Sequence, residues 1–189
     1  MAMNYLFLDT ATKYTGYALY EKSLVDPTAI LQQYGLIKGG SGKVDDRIIR
    51  IVCKFEDMIG ELSPMYVAQE FPYFQGGSKG INAARSGDTL QLARLCGHLE
   101  HTWLQMVIAA RHEKIALPMM INIKFCQWNG QLPKKVTCER MALAFDLMVE
   151  NWNSIDNNWA DAIMMGKWAF ENKLNMRVIA GKKMERKDY

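Results

Sequence analysis

The chain has 189 residues, 49% of them hydrophobic and 23% charged, with a formal net charge of +3; that length suits a single domain that buries roughly 70% of its unfolded surface, so neither a disulfide nor a metal is needed to hold it together. Its four cysteines, Cys53, Cys96, Cys126 and Cys138, form no CxxC pair, which argues against a zinc site and for the reduced thiols of a cytosolic protein. No run approaches the ~20 apolar residues of a membrane span and no signal-peptide pattern opens the chain, so a soluble, cytoplasmic protein with no membrane partner is expected.

The opening segment organises the rest of the chain. Tyr5 to Leu8 have the apolar, aromatic character of a strand buried on both faces, the run ends on Asp9, and Gly16-Tyr17 follows after six intervening residues. This pattern predicts a hairpin with Asp9 at the tip of its first strand and Gly16 supplying the turn with a residue that tolerates positive φ. An aspartate there either caps the turn through its own backbone or stands at the rim of a sheet, where a cation or phosphate can approach.

Ile30 to Lys38 reads as a third strand, ended by Gly39-Gly40-Ser41-Gly42, so three antiparallel strands are expected. From Val44 to Leu62 the residues Ile48, Ile51, Val52, Phe55, Met58, Ile59 and Leu62 recur at three and four, the stripe of an amphipathic helix, and Ser63-Pro64 stops it. Met65 to Glu70 is then a short strand, and the right-handed crossover preference returns it parallel to the first, with Glu70 at the same edge as Asp9. Phe71 to Ser86 is a long loop carrying three glycines, three aromatics, Lys79 and Arg85; loops of that length in compact domains are commonly functional.

Gly87-Asp88 opens the longest helix, about Thr89 to Arg111, whose apolar face of Leu92, Leu95, Leu99, Trp103, Met106 and Ala110 is broad enough for a core and a partner. His98 and His101, spaced HxxH on this helix, belong to its surface or to a dimer seam rather than to a metal. Met119 to Ile123 reads as a strand, Lys124 to Lys135 as a loop containing Trp128, Val136 to Val149 as a helix, and about Asn158 to Glu171 as the last helix. The fold class expected is α/β: a mixed five-stranded sheet, three antiparallel strands and then parallel ones, flanked by helices. It occupies residues 1–172, followed by a basic tail, residues 173–189, in which Lys173, Arg177, Lys182, Lys183, Arg186 and Lys187 are gathered. Such a tail is either solvated or suited to a polyanion.

Asp161 lies in the first turn of the last helix, where the helix dipole favours a carboxylate; Asn158, three residues earlier, shares its face. Asp156 joins them only if the backbone between is not helical. Asp9, Glu70 and Asp161 brought to one sheet edge would repel one another without a cation. Oxygen ligands without histidine or cysteine favour Mg2+, with Mn2+ as a substitute, and a pair of such ions hydrolyses phosphodiesters.

The order of elements, the Leu8-Asp9 hairpin with Gly16-Tyr17, the glutamate ending the fourth strand and the terminal helix with Ala160-Asp161-Ala162 together resemble the RuvC-like Holliday junction resolvases of the RNase H-like superfamily, over roughly residues 4 to 170. The resemblance implies that Asp9, Glu70 and Asp161 are three of four metal-binding acids. The fourth position holds Asn158, an amide in place of an acid. It further implies Tyr73, with Phe71 and Phe74 beside it, as the aromatic near the junction centre, and Lys124 with Lys134 or Lys135 as catalytic lysines holding the scissile phosphate. Lys79 and Arg85 are expected to contact DNA. The activity implied is Mg2+-dependent resolution of four-way DNA junctions by a homodimer joined through the helix at 89–111. Two other readings stay open: a less selective nuclease of branched DNA or RNA·DNA hybrids, and a junction-binding protein that Asn158 has deprived of cutting.

Overall fold

A computed structural model describes the chain except for residues 1, 27, 73–81, 84, 116, 130–132, 148–155 and 174–176. The described elements run, in chain order, β1 (Ala2–Asp9), β2 (Tyr14–Ser23), β3 (Thr28–Lys38), α1 (Val44–Leu62), β4 (Tyr66–Glu70), α2 (Asp88–His112), β5 (Ile121–Ile123), α3 (Phe125–Trp128), α4 (Lys134–Phe145), α5 (Asp156–Lys173) and β6 (Arg177–Arg186). The strands form one sheet in the order β5-β4-β1-β2-β3-β6. β1, β2 and β3 are antiparallel in succession, while β4 joins β1, β5 joins β4 and β6 joins β3 in parallel. This is the mixed, RNase H-like sheet expected, with helices on both faces, and β6 adds a sixth strand to the five expected. Among the described residues no helix is long and apolar enough to cross a membrane.

Alternation along β1 explains why its apolar run is unbroken. Successive side chains of a strand point to opposite faces, and here both faces are covered. Leu6 and Leu8 join Ile51, Phe55 and Met58 of α1 and Leu95, Leu99 and Trp103 of α2. Tyr5 and Phe7 join Trp159, Ile163 and Phe170 of α5 and Met141 of α4. Each fully buried large side chain contributes about 1.5–3 kcal/mol, so the two layers hold the sheet from both sides. The α2 stripe expected to serve a core and a partner is largely taken up by this chain's own core, since Leu95, Leu99 and Trp103 are fully buried.

Three features differ from the sequence reading. Lys124 to Lys135 is more than a loop: it contains α3 and the first residues of α4. The segment read as a basic tail supplies β6, and the chain continues along β3 after it, with the Lys187 amide donating to the Tyr34 carbonyl at 2.9 Å and the Tyr189 amide to that of Leu36 at 2.7 Å. A composition rich in lysine conceals this strand because an edge strand can be cationic and still pair through its backbone.

The third difference concerns Gly16. Among the described residues the glycines with positive φ are Gly40, Gly42 and Gly87, and Gly16 is not one of them. It lies inside β2, directly opposite Asp9, where a Cβ would fall 2.0 Å from the carbonyl oxygen of Asn158 and 2.5 Å from the amide nitrogen of Trp159. The glycine is needed for the close approach of α5, not for the turn.

Candidate active site at the carboxyl ends of the strands

Because β1, β3, β4, β5 and β6 all run the same way, their carboxyl ends share one edge of the sheet. Asp9 ends β1, Glu70 ends β4, and Lys124 directly follows β5. Open α/β sheets present their ligands with this edge.

The register fixes which way the acids face. Leu8 pairs with Gln69 across β1 and β4, so Asp9 and Glu70 come next on adjacent strands. Phe7 and Ala68 pack in the α5 layer, whereas Leu8 and Val67 pack against α1 and α2. By alternation both carboxylates stand on the α5 side. Asp9 is buried, with 7% exposure, and Glu70 is half-buried.

Glu70 is held at both ends. Its main-chain carbonyl accepts a hydrogen bond from the Thr10 hydroxyl at 2.6 Å and lies 3.7 Å from the Cys96 sulfur. Its carboxylate Oε2 accepts from the indole Nε1 of Trp128 at 3.0 Å. Thr10 and Cys96 are themselves 3.3 Å apart. Burial pushes the Cys96 thiol up to about 11, with Glu70 and Asp9 adding to the rise. A thiol so held stays protonated and does not act as a soft metal ligand.

The third acid comes from α5. Asp161 is 1% exposed and follows Trp159 and Ala160, which pack on the sheet. Asn158 donates its side-chain amide to the Tyr14 carbonyl at the start of β2, so this residue ties the first turn of α5 to the hairpin that carries Asp9. Only its amide oxygen remains suited to a cation. Asp156 opens the helix, and its side chain lies outside the described residues.

The donor set fits a hard cation. Among the described residues no three of His, Cys, Asp and Glu are grouped closely enough to hold an ion by themselves. Mg2+ does not need such a cage, because it keeps several waters and binds through one or two carboxylates together with substrate phosphates. Asp9 and Glu70, adjacent and on one face, meet that requirement.

The basic and aromatic candidates are less gathered. Lys124 is exposed beside the site, its main-chain amide donating to the Gln127 side chain at 2.7 Å. Lys135 is exposed and only 3.9 Å from Glu139, a solvated pair. Lys134 opens α4 with its side chain outside the described residues, and Tyr73, Phe74 and Lys79 lie outside them altogether. Arg85 is exposed in the approach to α2, and Phe71 is half-buried, its amide donating to the Ile123 carbonyl at 2.9 Å. His98 and His101 are exposed on α2, far along the chain from any acid of the site. Trp128, Thr10 and Cys96 escaped the sequence reading, since each acts through a partner at least 26 positions away.

No family model matches this sequence, and no curated protein matches it significantly. Solved structures do. Thermus thermophilus RuvC in complex with a Holliday junction substrate aligns with a TM-score of 0.56 at 16% identity, over 91% of this chain and 96% of that one. Thermus thermophilus RuvC in a second structure gives 0.54 at 18% identity, over 92% and 98%. The yeast mitochondrial Holliday junction resolvase gives 0.53 at 12%, over 90% and 85%. With the strand order, the acid-bearing edge and the terminal helix in place, the chain has the RNase H-like fold of the RuvC-type Holliday junction resolvases.

Proposed function

We propose that the chain is a divalent-metal-dependent endonuclease that hydrolyses phosphodiester bonds in four-way DNA junctions. The observation that carries the reading is the placing of Asp9 and Glu70 side by side on the α5 face of the sheet, beside the turn of α5 that bears Asn158 and precedes Asp161, in a fold shared with a protein that binds a Holliday junction.

Asp9, Glu70 and Asp161, with the amide oxygen of Asn158, would hold Mg2+, or Mn2+ in its place. Divalent ions held there would supply an activated water and charge stabilisation for the leaving oxygen. The chain's own residues do the rest. Thr10 and Cys96 fix the backbone of Glu70; Lys124 and one of Lys134 or Lys135 bind the scissile phosphate and offset charge as it develops. Tyr73 and Phe74 stack on unpaired bases at the junction centre, contacts worth ~1–3 kcal/mol per base in single-strand binders. Lys79 and Arg85 contact phosphates. Selectivity would rest on junction shape, with base preference secondary. A homodimer joined along α2 would provide two sites for symmetric cuts; Leu90 and Ile108 are the exposed large apolar residues of that helix, at 67% and 41%.

One specific observation favours a second reading. Asn158 spends its side-chain amide on the Tyr14 carbonyl and brings no charge, which suits a protein that binds junctions without cutting them. Incubating the full chain with labelled four-way junction, flap, duplex and RNA·DNA hybrid in Mg2+, Mn2+ or chelator separates the two. Paired symmetric nicks in the junction, abolished by the chelator, are the expected result. Tight junction binding with no nicks under either metal would establish the second reading, and cutting of hybrid or flap alone would move the substrate class.

A further inference from the structure

We infer that Trp128 is a positioning residue of the metal site, which fixes the Glu70 carboxylate and ties the segment carrying Lys124 to it. The inference rests on the metal-site reading above. Its basis is the hydrogen bond from Trp128 Nε1 to Glu70 Oε2 at 3.0 Å, between residues 58 positions apart in the chain.

The chemistry of the pair is asymmetric. An indole N–H is a donor only and an ionised carboxylate an acceptor only, so the bond favours the charged form of Glu70, the form that ligates a metal. Such charge-assisted bonds are the stronger class. A glutamate has three side-chain torsions, and the last of them is soft. The bond from Trp128 restrains that torsion, while Thr10 holds the backbone of the same residue. Trp128 is itself anchored: it packs against the core layer shared by β1, β4 and α5. Partners that orient a metal-binding side chain typically matter by 10–100-fold in metal affinity or activity.

The same bond links two parts of the site. Trp128 ends α3, which begins one residue after Lys124. That turn is closed on itself by the Gln127 amide bonding to the Lys124 carbonyl at 2.9 Å and the Lys124 amide bonding to the Gln127 side chain. It is also pinned to the end of β4, since the Phe71 amide donates to the Ile123 carbonyl. Trp128 therefore carries the position of the Glu70 carboxylate directly to the turn that presents Lys124.

Trp128→Phe removes the N–H and keeps an aromatic ring in the core. With the full chain, Mn2+ binding without DNA, followed by electron paramagnetic resonance, is expected to weaken about ten-fold or more, and the Mg2+ concentration for half-maximal junction nicking to rise by a similar factor. Trp128→His, which retains a ring N–H, should recover part of the affinity. Adding Trp128→Phe to Glu70→Gln should cost no further affinity, because the two act through one bond. Unchanged Mn2+ affinity in a folded Trp128→Phe protein would overturn the inference. So would equal losses in the Phe and His variants, or wild-type protein that binds no Mn2+. If wild type binds Mn2+ through Glu70 and cuts no junction, the nuclease reading fails while the Mn2+ titrations still decide the role of Trp128.

Discussion

Gly16 and Asn158 meet backbone to backbone: a Cβ on Gly16 would fall 2.0 Å from the Asn158 carbonyl oxygen, and Gly16 is the residue opposite Asp9 in the β1–β2 ladder. One missing side chain thus sets how close the first turn of α5 comes to the first acid. Gly16→Ala forces a methyl group against the main chain of Asn158 and Trp159, with no flexible side chain to yield. Overpacking of a dense interior costs typically 1–3 kcal/mol, or roughly 2–12 °C in the melting temperature of a chain this size. Thermal denaturation should show that loss, together with a weaker Mn2+ affinity as α5 is pushed from the sheet. A variant as stable and as avid for Mn2+ as wild type would detach the glycine from the site.

Asp9→Asn should abolish junction cutting while leaving junction binding within a few-fold of wild type, since the substitution keeps the side chain's size while removing its charge and turning one acceptor oxygen into a donor. Its effect on stability should depend on metal. A ligand that binds only the folded state at a hundred times its Kd adds about 2.7 kcal/mol. Saturating Mg2+ should therefore raise the wild-type melting temperature and leave the variant's nearly unchanged. Equal shifts in both would place the ion elsewhere.

The parts of this arrangement that could be read from sequence are those set by local periodicity. The stripe from Ile48 to Leu62 marks α1 because each residue of it sees the core through the helix's own geometry, and the run from Tyr5 to Leu8 marks a strand buried on both sides. The convergence of Asp9 and Glu70 followed from a crossover rule and the ends of two strands. Backbone approach and partners distant in sequence were not legible. Gly16 looked like a turn residue because glycine's two uses, positive φ and absence of a Cβ, leave the same letter. Trp128 lay in a stretch without periodicity, and β6 was masked by a composition that suits a solvated tail equally well.

Asn158→Asp separates two roles of one side chain. The amide now donates to the Tyr14 carbonyl, and a carboxylate there would face that carbonyl acceptor to acceptor. Leaving a part-buried acceptor without its donor costs about 1–3 kcal/mol. In metal-free buffer the variant should therefore melt below wild type. If position 158 is the fourth ligand, added Mg2+ should restore the loss, and the metal concentration needed for cutting should fall. Asp156→Ala should change little in either measurement. Recovery in Asn158→Asp absent, with a strong loss of metal affinity in Asp156→Ala, would instead make Asp156 the ligand.

The end of the chain offers a test of structure against charge. Lys187, Asp188 and Tyr189 continue along β3 through three main-chain hydrogen bonds, the third running from the Lys38 amide to the Tyr189 carbonyl at 2.8 Å. The Asp188 carboxylate also meets Lys38 at 2.8 Å, and the Tyr17 hydroxyl donates to the Lys187 carbonyl at 2.6 Å. The Arg186 guanidinium lies over the Trp159 ring, 5.5 Å from its centroid, next to Asn158. Deleting residues 187–189 removes these four hydrogen bonds together with the ion pairs of Asp188 to Lys38 and Arg186 and of Lys187 to Glu61, and at ~0.5–1.5 kcal/mol per hydrogen bond the loss should reach about 2–6 kcal/mol in urea denaturation, with the midpoint lowered. Lys182→Ala with Lys183→Ala leaves the main-chain pairing in place and should leave stability within about 0.5 kcal/mol. If those two lysines bind phosphates, the same double variant should flatten the salt dependence of junction binding by ~0.9 for each phosphate no longer neutralised. Stability loss confined to the deletion and a flatter slope confined to the lysine variant would assign the segment both roles, edge strand and DNA contact. An unchanged slope would leave it the first alone.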